Sequence, residues 1–142
     1  MSVDLKDDSM CFACSTKNKS GLKMKFSHEG DVCRSTFVAS REHEGWPGFM
    51  HGGLVTTLLD EVMSQWLWGR EMAAMTAELN VRFIKPVPVG QPITIEGRME
   101  FIKGRLIVLN GQVVLPDQTV AAKATGKFLR AEKMLKAGQK KI

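Results

Sequence analysis

The run Glu44-Gly45-Trp46-Pro47-Gly48-Phe49-Met50-His51-Gly52-Gly53 holds residue types from which an anion-stabilising site can be built. Two glycines at the start of a helix let backbone approach a ligand closely, because no Cβ stands in the way. The first N–H groups of a helix have no partner within it and point outward along the positive end of its dipole. Such donors can stabilise the oxyanion that forms when a nucleophile adds to a carbonyl. The helix that follows carries Asp60, and a carboxylate can deprotonate water or attack a carbonyl carbon itself. Asp60 lies on the border between the apolar and polar faces of that helix, where partial desolvation and access to water coexist. The position suits a base and a structural cap or ion pair equally well, and spacing alone leaves both readings open.

The elements that must position these residues are legible from periodicity. From Leu54 to Leu67, Leu54, Val55, Leu58, Leu59, Val62, Met63, Trp66 and Leu67 share one broad arc of a helical wheel. Thr57, Glu61, Ser64, Gln65 and Trp68 fall on the other side, so the spacing predicts an amphipathic helix enclosed by other structure. Trp66, well inside the apolar arc, is expected in the core. Elsewhere the period is two. Leu22, Met24 and Phe26 alternate with lysines, Asp31 to Val38 follows a turn at Glu29-Gly30, and Ala77, Leu79, Val81 and Phe83 alternate with Glu78, Asn80 and Arg82. Further strand patterns run from Ile93 to Phe101, Leu106 to Leu115 and Val120 to Leu129, with breaks at Lys103-Gly104 and Pro116-Asp117. Two strands, one buried helix and four strands imply an α+β arrangement, an antiparallel sheet curled around the helix, rather than alternating βαβ units. Ala131 to Ala137 is expected to add a helical turn or fray.

Composition bounds the rest. At 142 residues, with 44% apolar and 25% charged residues, the chain suits one folded domain and not a disordered one. The first ten residues contain no apolar run long enough for a signal peptide or a membrane span, so a cytoplasmic protein without membrane insertion is expected. Cys11, Cys14 and Cys33 are an odd set, consistent with free thiols in a reducing compartment. The formal charge of +5 is concentrated at the end, where Lys127, Arg130, Lys133, Lys136, Lys140 and Lys141 face only Glu132. A solvated basic tail explains this without a nucleic-acid partner, and the mild excess also suits an anionic small molecule.

Phosphate-loop, dinucleotide, paired-His zinc and G-x-S-x-G signatures are absent. Cys11-Phe12-Ala13-Cys14 has the spacing of half a zinc site, yet Cys33, His28, His43 and His51 are scattered along the chain. No metal or other cofactor is therefore expected. Loop packing, a metal and a redox pair remain three readings of the cysteines.

The run PGFMHGGLVTTLLDE, followed by MTAELNVRFIKPVPVG, resembles the hotdog-fold thioesterases of the phenylacetate-degradation type, in particular an acyl-CoA thioesterase branch with an HGG motif and a helix aspartate. The opening CFAC and the Gly21-Leu22 pair resemble the N-terminal pattern of many members. The specific element is the ordered set of His-Gly-Gly, an Asp nine positions after the His and a Thr sixteen positions after the Asp. The resemblance implies a sheet wrapped around a central helix, with residues 1–20 as an N-terminal segment, 21–130 as the hotdog domain and 131–142 as a basic tail. It also implies a homodimer or homotetramer with sites between subunits, and an acyl-CoA substrate that requires no cofactor. By motif match, Asp60 is similar to the general base or nucleophile, and His51 to the histidine at the helix entrance. Gly52 corresponds to the residue whose amide faces the thioester carbonyl, and Thr76 to the residue placing water or carboxylate. Some members carry Asn six positions before the HGG histidine, where this chain has Gly45, so activation through that side-chain amide is absent or supplied otherwise.

Spacing adds a geometrical constraint. Asp60 is eight residues beyond Gly52, about 12 Å along a helix rising 1.5 Å per residue, whereas an oxyanion donor and a base must meet at one carbonyl. If both assignments hold, two subunits share the site. Gly53, Trp46 and Phe49 are further candidates for contacting substrate, with Trp66, Trp68 and Met72 as additional wall residues. Arg82, Lys85, Lys103 and Arg105 are candidates for the CoA phosphates. Two alternatives stand beside hydrolysis: hydration or dehydration of an acyl thioester with His51 as base, and a non-catalytic acyl-CoA-binding domain.

Overall fold

The computed structural model describes residues 9–131, so the expectations for the first residues and for the basic tail from 132 onward lie outside the described residues. The chain forms β1 (Ser27–Glu29), β2 (Val32–Val38), a short 3-10 turn at Arg41–His43, the helix α1 (Gly52–Trp68), β3 (Ala74–Phe83), β4 (Pro92–Lys103), β5 (Leu106–Val114) and β6 (Val120–Arg130). All strands pair antiparallel in one sheet of order β1-β2-β4-β5-β6-β3. The sheet wraps the central helix α1, the one α-helix among the described residues, which is the hotdog arrangement.

Helix α1 buries Val55, Leu58, Leu59, Val62, Met63, Trp66 and Leu67, the face its periodicity marks out. Each such side chain contributes about 1.5–3 kcal/mol through loss of apolar surface from water. The helix lies so close to the sheet that side chains beneath it must be small. Cys33, Gly97, Gly111, Ala124 and Val81 are consecutive cross-strand partners in one row. A Cβ at Gly97 would stand 3.1 Å from the Val62 carbonyl oxygen, and one at Gly111 would stand 3.3 Å from a Leu59 methyl. Trp66 closes the far end, with Nε1 donating to the Asp31 carbonyl at 2.8 Å and the Arg70 guanidinium over its ring at 3.5 Å.

The alternation over Leu22, Met24 and Phe26 does not give a sheet strand. Leu22 and Met24 are buried, but their N–H groups donate to the Phe12 and Ala13 carbonyls, and Lys23 adopts φ 55°, which breaks the extended run. Sheet pairing begins only at Ser27. Strand β3 starts earlier than the alternation indicates, at Ala74, and carries an irregularity between Thr76 and Glu78. Among the described residues it pairs with β6 alone, leaving its other, ten-residue edge without a strand partner there. None of the described helices is long and apolar enough to cross a membrane.

Candidate active site

The helix entrance is built by a loop that folds back on itself. Glu44 accepts from the Gly48 N–H at 2.8 Å, the Gly45 N–H donates to Phe49, and Gly48 takes φ 88°, a turn that glycine makes without strain. Met50 then donates to Val87 and His51 to His43, which delivers the chain to the helix start. His51 is the N-cap: its Nδ1 accepts from the Gly53 N–H at 2.9 Å. With Nδ1 accepting, the neutral ring carries its proton on Nε2. The Gly53 amide is thereby spent on His51, whereas the exposed Gly52 N–H makes no hydrogen bond among the described residues. Gly45 is closely packed, since a Cβ there would lie 3.2 Å from the His51 Cα; an Asn at this position would press on the capping histidine.

A cleft of ≈ 270 Å³ opens at this entrance, lined by Met50, Gly52, Val55, Phe83, Ile84 and Lys85 among others. Phe83 and Ile84, absent from the wall residues read off the sequence, stand about half exposed there. The Phe83 ring would lie 3.6 Å from a Cβ at Gly52. The signal for them was available, because Phe83 ends the β3 alternation immediately before the Lys85-Pro86 break. Phe49 is exposed on the same loop and bridges to Pro88, while Trp46 is 83% exposed and packs on little of its own chain.

Two turns along the helix, Asp60 is half-buried, and Thr76 Oγ1 donates to Asp60 Oδ1 at 2.8 Å. The structure thus joins two residues sixteen positions apart, one from mid-helix and one from the start of β3 just before its irregularity. Because α1 runs unbroken from Gly52 through Asp60, its pitch keeps the two about 12 Å apart along the axis. The exposed Gly52 N–H and the Thr76–Asp60 pair are therefore two separate features of the chain.

The basic candidates are dispersed. Lys85 lines the Gly52 cleft. Arg82 lines a different depression of ≈ 480 Å³ on the sheet, with Asn80, Lys123 and Lys127. Lys103 ends β4, and Arg105 in the following turn donates twice to the Arg130 carbonyl, at 3.1 and 3.0 Å. Of the aromatic wall candidates, Trp66 is buried core, Trp68 is exposed at the far end of the helix and Met72 packs at the core margin. One grouping was not legible beforehand: the Cys11 and Cys14 thiols gather around Glu61 on α1.

Residues 47–122 match the family model for the thioesterase superfamily. The chain belongs to this family. Among its relatives, the acyl-coenzyme A thioesterase THEM4 of Bos taurus is 33% identical over 90 residues, which cover 63% of this chain and 37% of that protein. The corresponding Mus musculus protein is 29% identical over 99 residues, covering 69% and 43%. The chain thus spans about two fifths of the length of these curated relatives. A solved thioesterase superfamily protein is 30% identical, with a TM-score of 0.73 over 78% of this chain and 57% of that one. The Streptococcus mutans protein solved bound to acetyl-CoA shares the fold of this thioesterase-superfamily chain at 22% identity and TM-score 0.73, covering 80% and 91%.

Proposed function

We propose that this chain is an acyl-CoA thioesterase, hydrolysing an acyl thioester to free acid and CoA at a site shared by two copies. The observation that carries the reading is the 2.8 Å hydrogen bond from Thr76 to Asp60. It orients a half-buried carboxylate with one oxygen held and the other left to act. Asp60 Oδ2 takes a proton from water as it adds to the thioester carbonyl, or adds to that carbonyl itself. The developing oxyanion is received by the Gly52 N–H of the other copy, which His51 holds at the head of a rigid helix by capping Gly53. Collapse of the tetrahedral adduct expels CoA as its thiolate, giving the free acid directly when water has added, or an Asp60 acyl anhydride that a second step with water hydrolyses to free acid and Asp60 when the carboxylate has added.

The open edge of β3 supports the shared site. A twofold axis through Leu79 or Asn80 would pair this strand antiparallel with its own copy, opposing the Thr76 end of one strand to the Phe83 end of the other. Thr76 contacts Asp60 and Phe83 borders Gly52, so the two half-sites would face each other across the new strand pair. The same pairing would satisfy an edge that is otherwise a template for aggregation. The homodimer is thus part of the proposal, and a homotetramer would be two such units.

Acyl-CoA as substrate draws support from the names of the THEM4 relatives and from the acetyl-CoA held by the Streptococcus mutans protein. Lys85, beside the Gly52 cleft, is the best-placed of the four basic candidates for a CoA phosphate. His51 is poorly set up as the base of a hydratase, since its Nδ1 is engaged by Gly53 and its Nε2 is the protonated nitrogen. The test is a thiol-release screen over short, medium, long and aryl acyl-CoAs without added metal, with product analysis. Free thiol plus carboxylic acid is expected. A changed 2,3 bond with the thioester intact, or saturable binding without turnover, would refute the reading.

A further inference from the structure

We infer that Cys11, Cys14 and Glu61 form a binding site for a soft divalent cation of the zinc class, pinning residues 9–26, the N-terminal strap that precedes β1, to the central helix. The Sγ atoms of both cysteines and a Glu61 carboxylate oxygen all lie within 4.8 Å of one another. Cys11 Sγ is 3.9 Å from each Glu61 oxygen. Around tetrahedral zinc, with Zn–S about 2.3 Å and Zn–O about 2.0 Å, neighbouring ligand atoms are separated by roughly 3.5–3.8 Å. The three groups therefore stand within a few tenths of an ångström to about one ångström of ligating positions, which side-chain rotation can supply.

Three features favour a cation over incidental packing. First, the two cysteines lie on one tight turn, closed by Ser15 N–H donating to the Cys11 carbonyl at 3.0 Å, so both sulfurs come from one rigid knuckle. Second, Glu61 is a half-buried carboxylate facing two thiols, and it forms no salt bridge among the described residues. A partly desolvated anion surrounded by sulfur lacks the counter-charge that such groups ordinarily require. Third, Gln65, one turn further along α1, donates to Glu61 at 3.0 Å and lies 3.6 Å from Cys14 Sγ, holding the carboxylate toward the sulfurs. This is an outer-shell contact of the kind that orients metal ligands.

Binding would expel one proton from each thiol, leaving two thiolates and one carboxylate around the ion, with water as the fourth ligand. The strap is otherwise held by the buried Ala13, Leu22 and Met24 and by the backbone bonds from Leu22 and Met24 to Phe12 and Ala13. Glu61 points about 100° around the helix from Asp60, so the ion would brace the helix from a different side than the one Thr76 contacts.

The experiment uses the untagged full chain, reduced, stripped of metal and titrated anaerobically with Co²⁺. A sulfur-to-cobalt charge-transfer band saturating at one equivalent and bleached by Zn²⁺ is expected. Cys11→Ser and Cys14→Ser should abolish the band. Glu61→Gln, which leaves the cysteine turn intact, should weaken binding by roughly tenfold or more. Cys33→Ala should keep the band, because that buried thiol is outside the cluster. No band in the folded parent, a band that survives Cys14→Ser, or unaltered affinity in Glu61→Gln would each overturn the inference.

Discussion

The shared site can be tested by complementation between two inactive variants, and the structure sets both the choice of substitutions and the size of the signal. Asp60→Asn removes the proposed base while keeping its volume; a loss of roughly 10²-fold or more is expected for that role. Gly52→Pro removes the proposed oxyanion donor, for which the loss is about 10²–10³-fold. Proline is compatible with this position. Gly52 is the first helical residue, where no intrahelical N–H bond is lost. His51 already adopts φ −58°, ψ 132°, the extended conformation that a following proline demands. A Cβ at Gly52 would meet Phe83 at 3.6 Å, ordinary van der Waals contact. If the two groups act across subunits, a heterodimer has one doubly damaged site and one intact site. Random pairing makes half the dimers mixed, so the mixture should recover about one quarter of parental activity per chain. Against parents at about one hundredth or less, that is a rise of more than tenfold. The assay is thiol release after co-refolding equal amounts, with subunit exchange verified by native mass spectrometry. Verified heterodimers as inactive as both parents would refute the cross-subunit assignment.

Further outcomes follow from individual contacts. Thr76→Val should lower kcat about tenfold, from loss of a hydrogen bond to a charged group worth about 1.5 kcal/mol or more, and Thr76→Ser should restore most of it; an unchanged kcat in a folded Val variant would remove Thr76 from the chemistry. Glu96 is held below the usual carboxylate range, first by the Gln112 hydrogen bond and then by Arg34. Its contribution is therefore present above the unfolded pKa of about 4.3 and lost as pH falls through the lower folded value. Glu96→Gln should cost about 1–2 kcal/mol at pH 7, with the difference shrinking toward pH 3 in paired denaturant titrations. Gly126→Ala places a Cβ 2.7 Å from the buried Phe128 ring and 3.2 Å from Met63, so urea unfolding should show a loss of about 1–3 kcal/mol. Alanine at Gly104 meets no neighbouring atom, and its cost should come only from the φ of 61°.

Periodicity and turn chemistry by themselves determined the helix, its buried face and the four strands after it, because each depends on interactions between neighbours in sequence. The alternation at Ile93, Ile95 and Gly97 marks a face of β4 that the helix covers, and the breaks at Lys103-Gly104 and Pro116-Asp117 coincide with the observed hairpin turns. Leu22 to Phe26 misled for a physical reason: alternation records which side chains are buried, whereas strand membership depends on where the N–H groups go, and here they go to Phe12 and Ala13. The order of His51, Gly52, Asp60 and Thr76 was readable as a motif, and the helical rise alone separated Gly52 from Asp60. Tertiary structure decided the rest. Only folding could bring Thr76 to Asp60, reserve the Gly53 amide for His51 while leaving that of Gly52 without a partner among the described residues, and set Phe83 beside the helix entrance. Only the path of the N-terminal strap could gather Cys11 and Cys14 at Glu61, fifty residues from Cys11. These contacts join positions far apart in the chain, and no local period encodes the path that closes such distances.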